Sequence, residues 1–163
     1  MRKDIRLDRF DLKILDYLQR DGRGSFQDIG EAVGLSLSAC HKRVKALEQL
    51  GVINRYAAIL SARELGFRTS AYVQVTLRDQ ASATLQAFEA AVLETPEIME
   101  CALMSGDSDY LLRILCVDVE DYERIHSEVL TALPGVERLK SSFTLRTVCR
   151  RTAIPVNAPL DGR

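Results

Sequence analysis

The period of the apolar residues changes once along the chain, and that change narrows the available folds more than any other feature. From Leu7 to Leu60 the apolar spacing is mostly helical, in steps of three and four. From Ser70 the pattern alternates: Ala71, Val73, Val75 and Leu77 are interleaved with Ser70, Tyr72, Gln74 and Thr76, as in a half-buried strand. A chain of 163 residues accommodates one ordinary domain or two small ones. The two periods divide it into a helical half and a mixed half.

In the first half, Leu7, Phe10, Ile14 and Leu18, widened by Leu12 and Leu15, predict an amphipathic helix over 8–20. Asp8 is its expected N-cap, with Leu7 stapled onto Leu12. Asp21-Gly22-Arg23-Gly24 stops it. Ser25-Phe26-Gln27-Asp28 has capping-box form and opens a short helix that turns Ile29, Ala32 and Val33 inward. Gly34 ends that helix, and Ser36 caps a third one to about Leu50, striped by Cys40, Val44 and Leu47. Residues Ile53–Ile59 are expected to add a small wing that places Arg55 near a phosphate.

In the second half, Leu85, Phe88 and Val92 mark a helix, and Ile98–Met104 and Tyr110–Val117 mark strands. Asp118 caps a helix carrying Tyr122, Ile125 and Val129. Pro134-Gly135 breaks it before a last strand within 136–148. Strand-helix-strand twice over is the split βαβ order of a ferredoxin-like βαββαβ sandwich. The expected fold class is therefore α+β. Its expected parts are a winged helix-turn-helix domain at 1–62 (motif about 26–45), a linker at 63–69, the sandwich at 70–150 and a tail at 151–163. That tail, with Pro155, Asn157, Pro159 and Gly162, is expected to fray beyond Ile154.

Composition removes several classes. Apolar residues make up 47% and charged ones 28%, an ordinary globular balance. No apolar run approaches the roughly 18 residues of a membrane helix, so no membrane partner is expected. The charged start, Met1-Arg2-Lys3-Asp4-Ile5-Arg6, leads into no apolar signal core. Cys40, Cys101, Cys116 and Cys149 lie far apart without a Cys-x-x-Cys pair, which predicts reduced thiols in a cytoplasmic protein. His41 and His126 are too few and too separated for zinc, so no metal site is expected. No nucleophile elbow, phosphate-binding loop or dinucleotide fingerprint appears, so neither catalytic residues nor a cofactor are assigned.

The strongest local signal is Ser25–Glu48. Two short helices joined by Gly34-Leu35-Ser36 have the geometry of a helix-turn-helix, in which the second helix enters a major groove. Its solvent face offers Ser36, Ser38, His41, Lys42, Arg43 and Lys45, with no carboxylate between Glu31 and Glu48 to repel double-stranded DNA. A generic helical hairpin with a solvated basic face remains the alternative on these residues alone. The formal net charge is −1, yet cations are in slight excess over the first 65 residues and carboxylates over the rest.

At this point the chain resembles the AsnC/leucine-responsive regulatory protein (Lrp) family, the feast/famine transcription regulators. Leu7-Asp8-x-x-Asp11-x-x-Ile14-Leu15-x-x-Leu18-Gln19-x-Asp21-Gly22-Arg23 is similar to that family's opening. Val33-Gly34-Leu35-Ser36, then Cys40 and Arg43-Val44-x-x-Leu47-Glu48-x-x-Gly51-Val52-Ile53, continue the match in order. Ser105-Gly106-Asp107-Ser108-Asp109-Tyr110 and Leu133-Pro134-Gly135-Val136 extend it to about residue 150. Leu37-Ser38-Ala39 departs from the proline-containing sequences common there. The resemblance implies a bacterial or archaeal transcription regulator with sequence-specific DNA binding, a ferredoxin-like (ACT-like) sensing domain, an amino acid effector, and homodimers assembling to octamers; its expected place is the cytoplasm, associated with the nucleoid.

The resemblance also places the effector at the loop Ser105–Tyr110, which on residue types alone reads as a hairpin turn. The residues singled out are Leu103, Gly106, Asp107, Asp109 and Tyr110, with Ser142 and Thr144 from a partner chain. Free N–H groups near Gly106 suit an α-carboxylate, and an aspartate suits an ammonium. In strand 110–117, Tyr110, Leu112, Ile114 and Cys116 share one face; Leu111, Leu115 and Val117 share the other, interrupted by Arg113. The second apolar face calls for a cover, expected to be another copy of the sheet, with the N-terminal domain as the alternative cover. An architectural DNA-wrapping protein and an amino-acid-metabolism enzyme are the rival functions.

Overall fold

The computed structural model describes residues 6–156. Asn157, Pro159 and Gly162 of the expected tail, and the charged start before Arg6, lie outside the described residues. The chain divides into two compact units: one runs to Ile59 and takes the chain back from Cys149, and the other is Leu60–Val148.

Three helices make the first unit: α1 (Arg9–Arg20), α2 (Phe26–Val33) and α3 (Leu37–Gln49). Each begins where an oxygen-bearing side chain satisfies otherwise unpaired N–H groups. Asp8 accepts from the Phe10 and Asp11 amides at 2.8 and 3.0 Å, and Asp11 returns the bond to the Asp8 amide at 3.0 Å. Ser25 and Asp28 form the same reciprocal box on α2. Ser36 caps α3 by accepting from Ala39. The core is one stripe from each helix: Ile14; Ile29 and Val33; Cys40, Val44 and Leu47.

The turn between α2 and α3 is unusually close. Gly34 adopts φ +80°, and the Gly34 and Leu35 amides both donate to the Gly30 carbonyl, at 2.9 and 2.8 Å. A Cβ on Gly30 would stand 2.8 Å from the Leu35 carbonyl oxygen, so only hydrogen fits there.

The expected wing does not form. After α3 the Val52 and Ile53 amides fold back onto the Leu47 carbonyl at 3.0 and 3.2 Å, and the Tyr56 phenol donates to Glu48. These bonds complete the end of α3, and among the described residues no strand flanks 53–59 to build a ladder. The return segment does not simply trail away. The Ile154 amide donates to Gln19 Oε1 at 2.6 Å and Gln19 Nε2 donates to the Ile154 carbonyl at 3.1 Å, which brackets it on α1.

The second unit is β1 (Thr69–Leu77), α4 (Ser82–Leu93), β2 (Ile98–Leu103), β3 (Tyr110–Cys116), α5 (Val119–Arg124) and β4 (Val136–Phe143). The fully antiparallel sheet runs β2-β3-β1-β4, the ferredoxin-like order. Both helices pack on the face carrying Ala71, Val73, Val75, Leu112 and Ile114, against Phe88, Val92, Tyr122 and Ile125. Beyond Arg124 the helix widens to a π-turn over Ile125–Val129 and then tightens. The widening is what a five-residue step between Ile125 and Leu130 demands, since both are fully buried in the same core.

Replacing Gly30 by Ala tests the turn. Helix propensity favours alanine by about 1 kcal/mol, but forcing a methyl against a backbone oxygen costs roughly 1–3 kcal/mol. The expected outcome is a net loss of stability in the first unit by chemical denaturation.

Candidate nucleic-acid interface and effector pocket

With Cys40, Val44 and Leu47 inward, helical geometry puts Ser38, Lys42, Lys45 and Gln49 on the outer ridge of α3. Ser36, Ser38, His41 and Lys42 are all exposed. The Ser36 hydroxyl is committed to the helix cap and lies 3.3 Å from that of Ser38. His41 meets the Phe26 ring edge-on, with centroids 4.8 Å apart. Lys42 has no ion-pair partner among the described residues. Gln49 lies on the same ridge and was legible from its spacing to Lys42 and Lys45, although the sequence reading did not single it out.

Two assigned cations are otherwise engaged. Arg43 is not on the reading ridge: its guanidinium bonds both Asp8 and Asp11 at 2.8 Å and lies 5.5 Å from the Phe10 ring centroid. It ties α3 to the N-terminal cap of α1, a bracing position rather than the free surface cation expected from the sequence. The Asp11 backbone amide first, and then Arg43, hold the Asp8 carboxyl below its usual range. Lys45 is paired with Glu48 at 2.8 Å, so its charge is shared. Arg55 is exposed on the segment after α3, without the wing that was to position it.

The second unit holds a cavity of about 690 Å³ on the open side of its sheet. Asp107 and Ser105 line it from the β2–β3 loop; Gln74 and Thr76 from β1; Arg138 and Lys140 from β4. Neither Arg138 nor Lys140 has an ion-pair partner among the described residues. One carboxylate therefore stands with two unpaired cations, separated groups of the kind an α-ammonium and an α-carboxylate require. Gly106 gives the loop its positive φ of 132°.

The structure gives the other expected effector residues surroundings of their own. Asp109 is buried, and its carboxylate accepts from the Leu77 amide and Gln80 Nε2, both at 2.7 Å. Its own amide donates to the Val75 carbonyl, and its carbonyl accepts from Met104. Asp109 closes the loop, its carboxylate oxygens each engaged within the chain. Tyr110 faces the helices, packed on Phe88 and donating to Glu89 at 2.7 Å; burial, then Glu89, raises its phenol far above its ordinary value. Leu103 pairs with Tyr110 in register, so it leaves the sheet on that same side. Ser142 and Thr144 lie on or beyond the end of β4 and do not line the cavity.

Comparison with known proteins matches this two-part geometry. Residues 7–48 fit the model of the AsnC-type helix-turn-helix domain, and residues 70–154 fit that of the Lrp/AsnC ligand binding domain. The chain belongs to the Lrp/AsnC family. It is 41% identical to the Bkd operon transcriptional regulator of Pseudomonas aeruginosa over 92% of this chain and 98% of that one. The leucine-responsive regulatory protein of Escherichia coli K12 is 39% identical over 87% of each chain. A crystal structure of a Neisseria meningitidis transcriptional regulator in complex with L-Met superposes with a TM-score of 0.89 at 34% identity, covering 93% of this chain and 98% of that one.

As a Lrp/AsnC-type transcription regulator, with a DNA-binding helix-turn-helix and a ligand-binding domain, the protein lets the two roles of α3 cations be separated. Lys42→Ala is expected to weaken DNA binding about uniformly across sequences and to lower the salt slope by about 1. Arg43→Ala is expected to lower the stability of the first unit instead. Because the Asp8 carboxyl is depressed below 3.8, chiefly by the Asp11 amide and then by Arg43, the stability its charge contributes is present above this pH and lost as pH falls through its lowered value. Salt-dependent binding curves and acid unfolding curves check both.

Proposed function

We propose that this regulator reads specific double-stranded DNA with α3 and that an amino acid, bound in the cavity beside Asp107, alters that binding. One observation carries the reading: a loop carboxylate and two cations without ion-pair partners among the described residues line one open cavity, on a domain matching the Lrp/AsnC ligand binding domain. The ammonium would sit at Asp107 and the carboxylate at Arg138 and Lys140. The neighbour holding L-Met supports an amino acid as the ligand class. The ligand acts by binding one arrangement of subunits more tightly than another, because equal affinity would shift nothing. A DNA-binding role supports a cytoplasmic location at the nucleoid as part of the same proposal.

Assembly belongs to the same proposal. On the open sheet face Leu111 and Leu115 are half-buried around Arg113, while Tyr72 is 43% exposed beside them. A second copy of this face would cover them in a two-fold dimer. Sedimentation at micromolar concentration is expected to give a dimer or a multiple of it, up to an octamer; a monomer would overturn the assembly.

A thermal-shift screen of the twenty amino acids, followed by DNA titration with the stabilising one, tests the function. Asp107→Asn is expected to keep wild-type stability, lose the ligand-induced shift and lose the DNA response. Asp109→Ala is expected to cost about 1.5–3 kcal/mol of stability, because the buried Leu77 amide loses a charged acceptor. Specific reading further requires the duplex upstream of the protein's own coding region to bind well above random DNA at one stated salt. A ratio near one favours an architectural, DNA-wrapping role.

A further inference from the structure

The first two turns of α3 expose Ser38, His41 and Lys42, and only one apolar side chain with them. Leu37 is 58% exposed, whereas Cys40 and Val44 are buried. Leu37 takes no part in the first unit's core, which closes on Ile14, Ile29, Val33, Cys40, Val44 and Leu47 without it. Its place is nonetheless fixed. It follows the Ser36 cap, whose hydroxyl accepts from Ala39, and the turn before it is held by the Leu35 amide on the Gly30 carbonyl at 2.8 Å. Its backbone is therefore held at the end of the helix that, in a helix-turn-helix, approaches base edges first.

The major groove offers donors and acceptors at every pair, but its one apolar group is the thymine C5-methyl. Ser38, His41 and Lys42 suit the polar edges and the phosphates; Leu37 suits only that methyl. We propose that Leu37 is a specificity-determining residue that reads a thymine methyl in each half-site. The proposal rests on the DNA-binding reading above and goes beyond it by naming the base and the atom recognised. Burying one methyl-sized group is worth roughly a fourfold change in affinity.

The experiment selects duplexes from a library randomised over its centre, with the full-length wild-type protein and with Leu37→Ser. Each thymine of the wild-type consensus is then replaced singly by deoxyuracil, which deletes the methyl and leaves every hydrogen-bonding group in place. The expected result is one position per half-site where the replacement weakens wild type about fourfold and leaves Leu37→Ser unchanged, with thymine no longer enriched there by the variant. Because Leu37 is exposed, the variant should unfold at the wild-type midpoint, which separates a lost contact from a lost fold. The proposal is overturned if no replacement weakens wild type, or if every replacement weakens both proteins equally. If wild type enriches no sequence, the DNA-reading assignment itself fails, and this proposal fails with it.

Discussion

Everything the first unit can do depends on how closely α2 and α3 meet. Hydrogen at Gly30 lets the Leu35 carbonyl approach the back of α2, and the positive φ of Gly34 turns the chain sharply enough for Ser36 to cap α3 at once. Two amides then converge on the Gly30 carbonyl. A wider turn would leave those amides unpaired and shift the inward stripe of Cys40, Val44 and Leu47 out of register with Ile29 and Val33. The angle at which α3 is offered to DNA follows from that packing. It is set by backbone atoms, whereas in the proposed function the exposed residues of α3 do the reading.

The charges near α3 are divided between holding and binding. Arg43 has a planar fork that engages two carboxylates at once, and it is the residue placed between Asp8 and Asp11. Those carboxylates already cap α1, so one cluster fixes the start of one helix and the flank of another. Lysine, a point charge on a flexible stem, occupies the outer ridge at Lys42 and Lys45. The loop of the second unit is divided in the same way. Asp109 is taken up by the Leu77 amide and Gln80, which leaves the exposed Asp107 as the carboxylate lining the cavity.

Most of the architecture was legible because it depends on local signals. The capping boxes at Asp8 and Ser25 act over three residues, Gly34 over one, and the alternation through β1 over nine. Each strand and helix therefore appears close to its expected place, and the split βαβ order follows. What was not legible depends on partners distant in sequence. Arg43 is one cation among several until Asp8, 35 residues away, is found beside it. Asp109 looks like a ligand carboxylate until the Leu77 amide, 32 residues away, is seen to occupy it. The cations Arg138 and Lys140 carry no local signal, because only sheet register brings them opposite Thr76 and Gln74. Tyr110 is a different case: alternation already placed it with Leu112 on the covered face, and the resemblance of the loop outweighed that sign.

The same division of charge limits what electrostatics contributes to DNA binding. With a net charge of −1 the protein has no global attraction for a polyanion, so attraction must come from the local patch. On α3 that patch is smaller than its sequence suggests, because Arg43 is neutralised twice and Lys45 shares its charge with Glu48. Under the proposed function, a helix with one cation unpaired among the described residues releases few counterions, and its binding falls only gently with salt. Affinity must then come from elsewhere: from contacts to base edges, or from several subunits engaging one duplex together. Both favour selectivity over tenacity, since base contacts fail on the wrong sequence and multivalency fails on the wrong spacing.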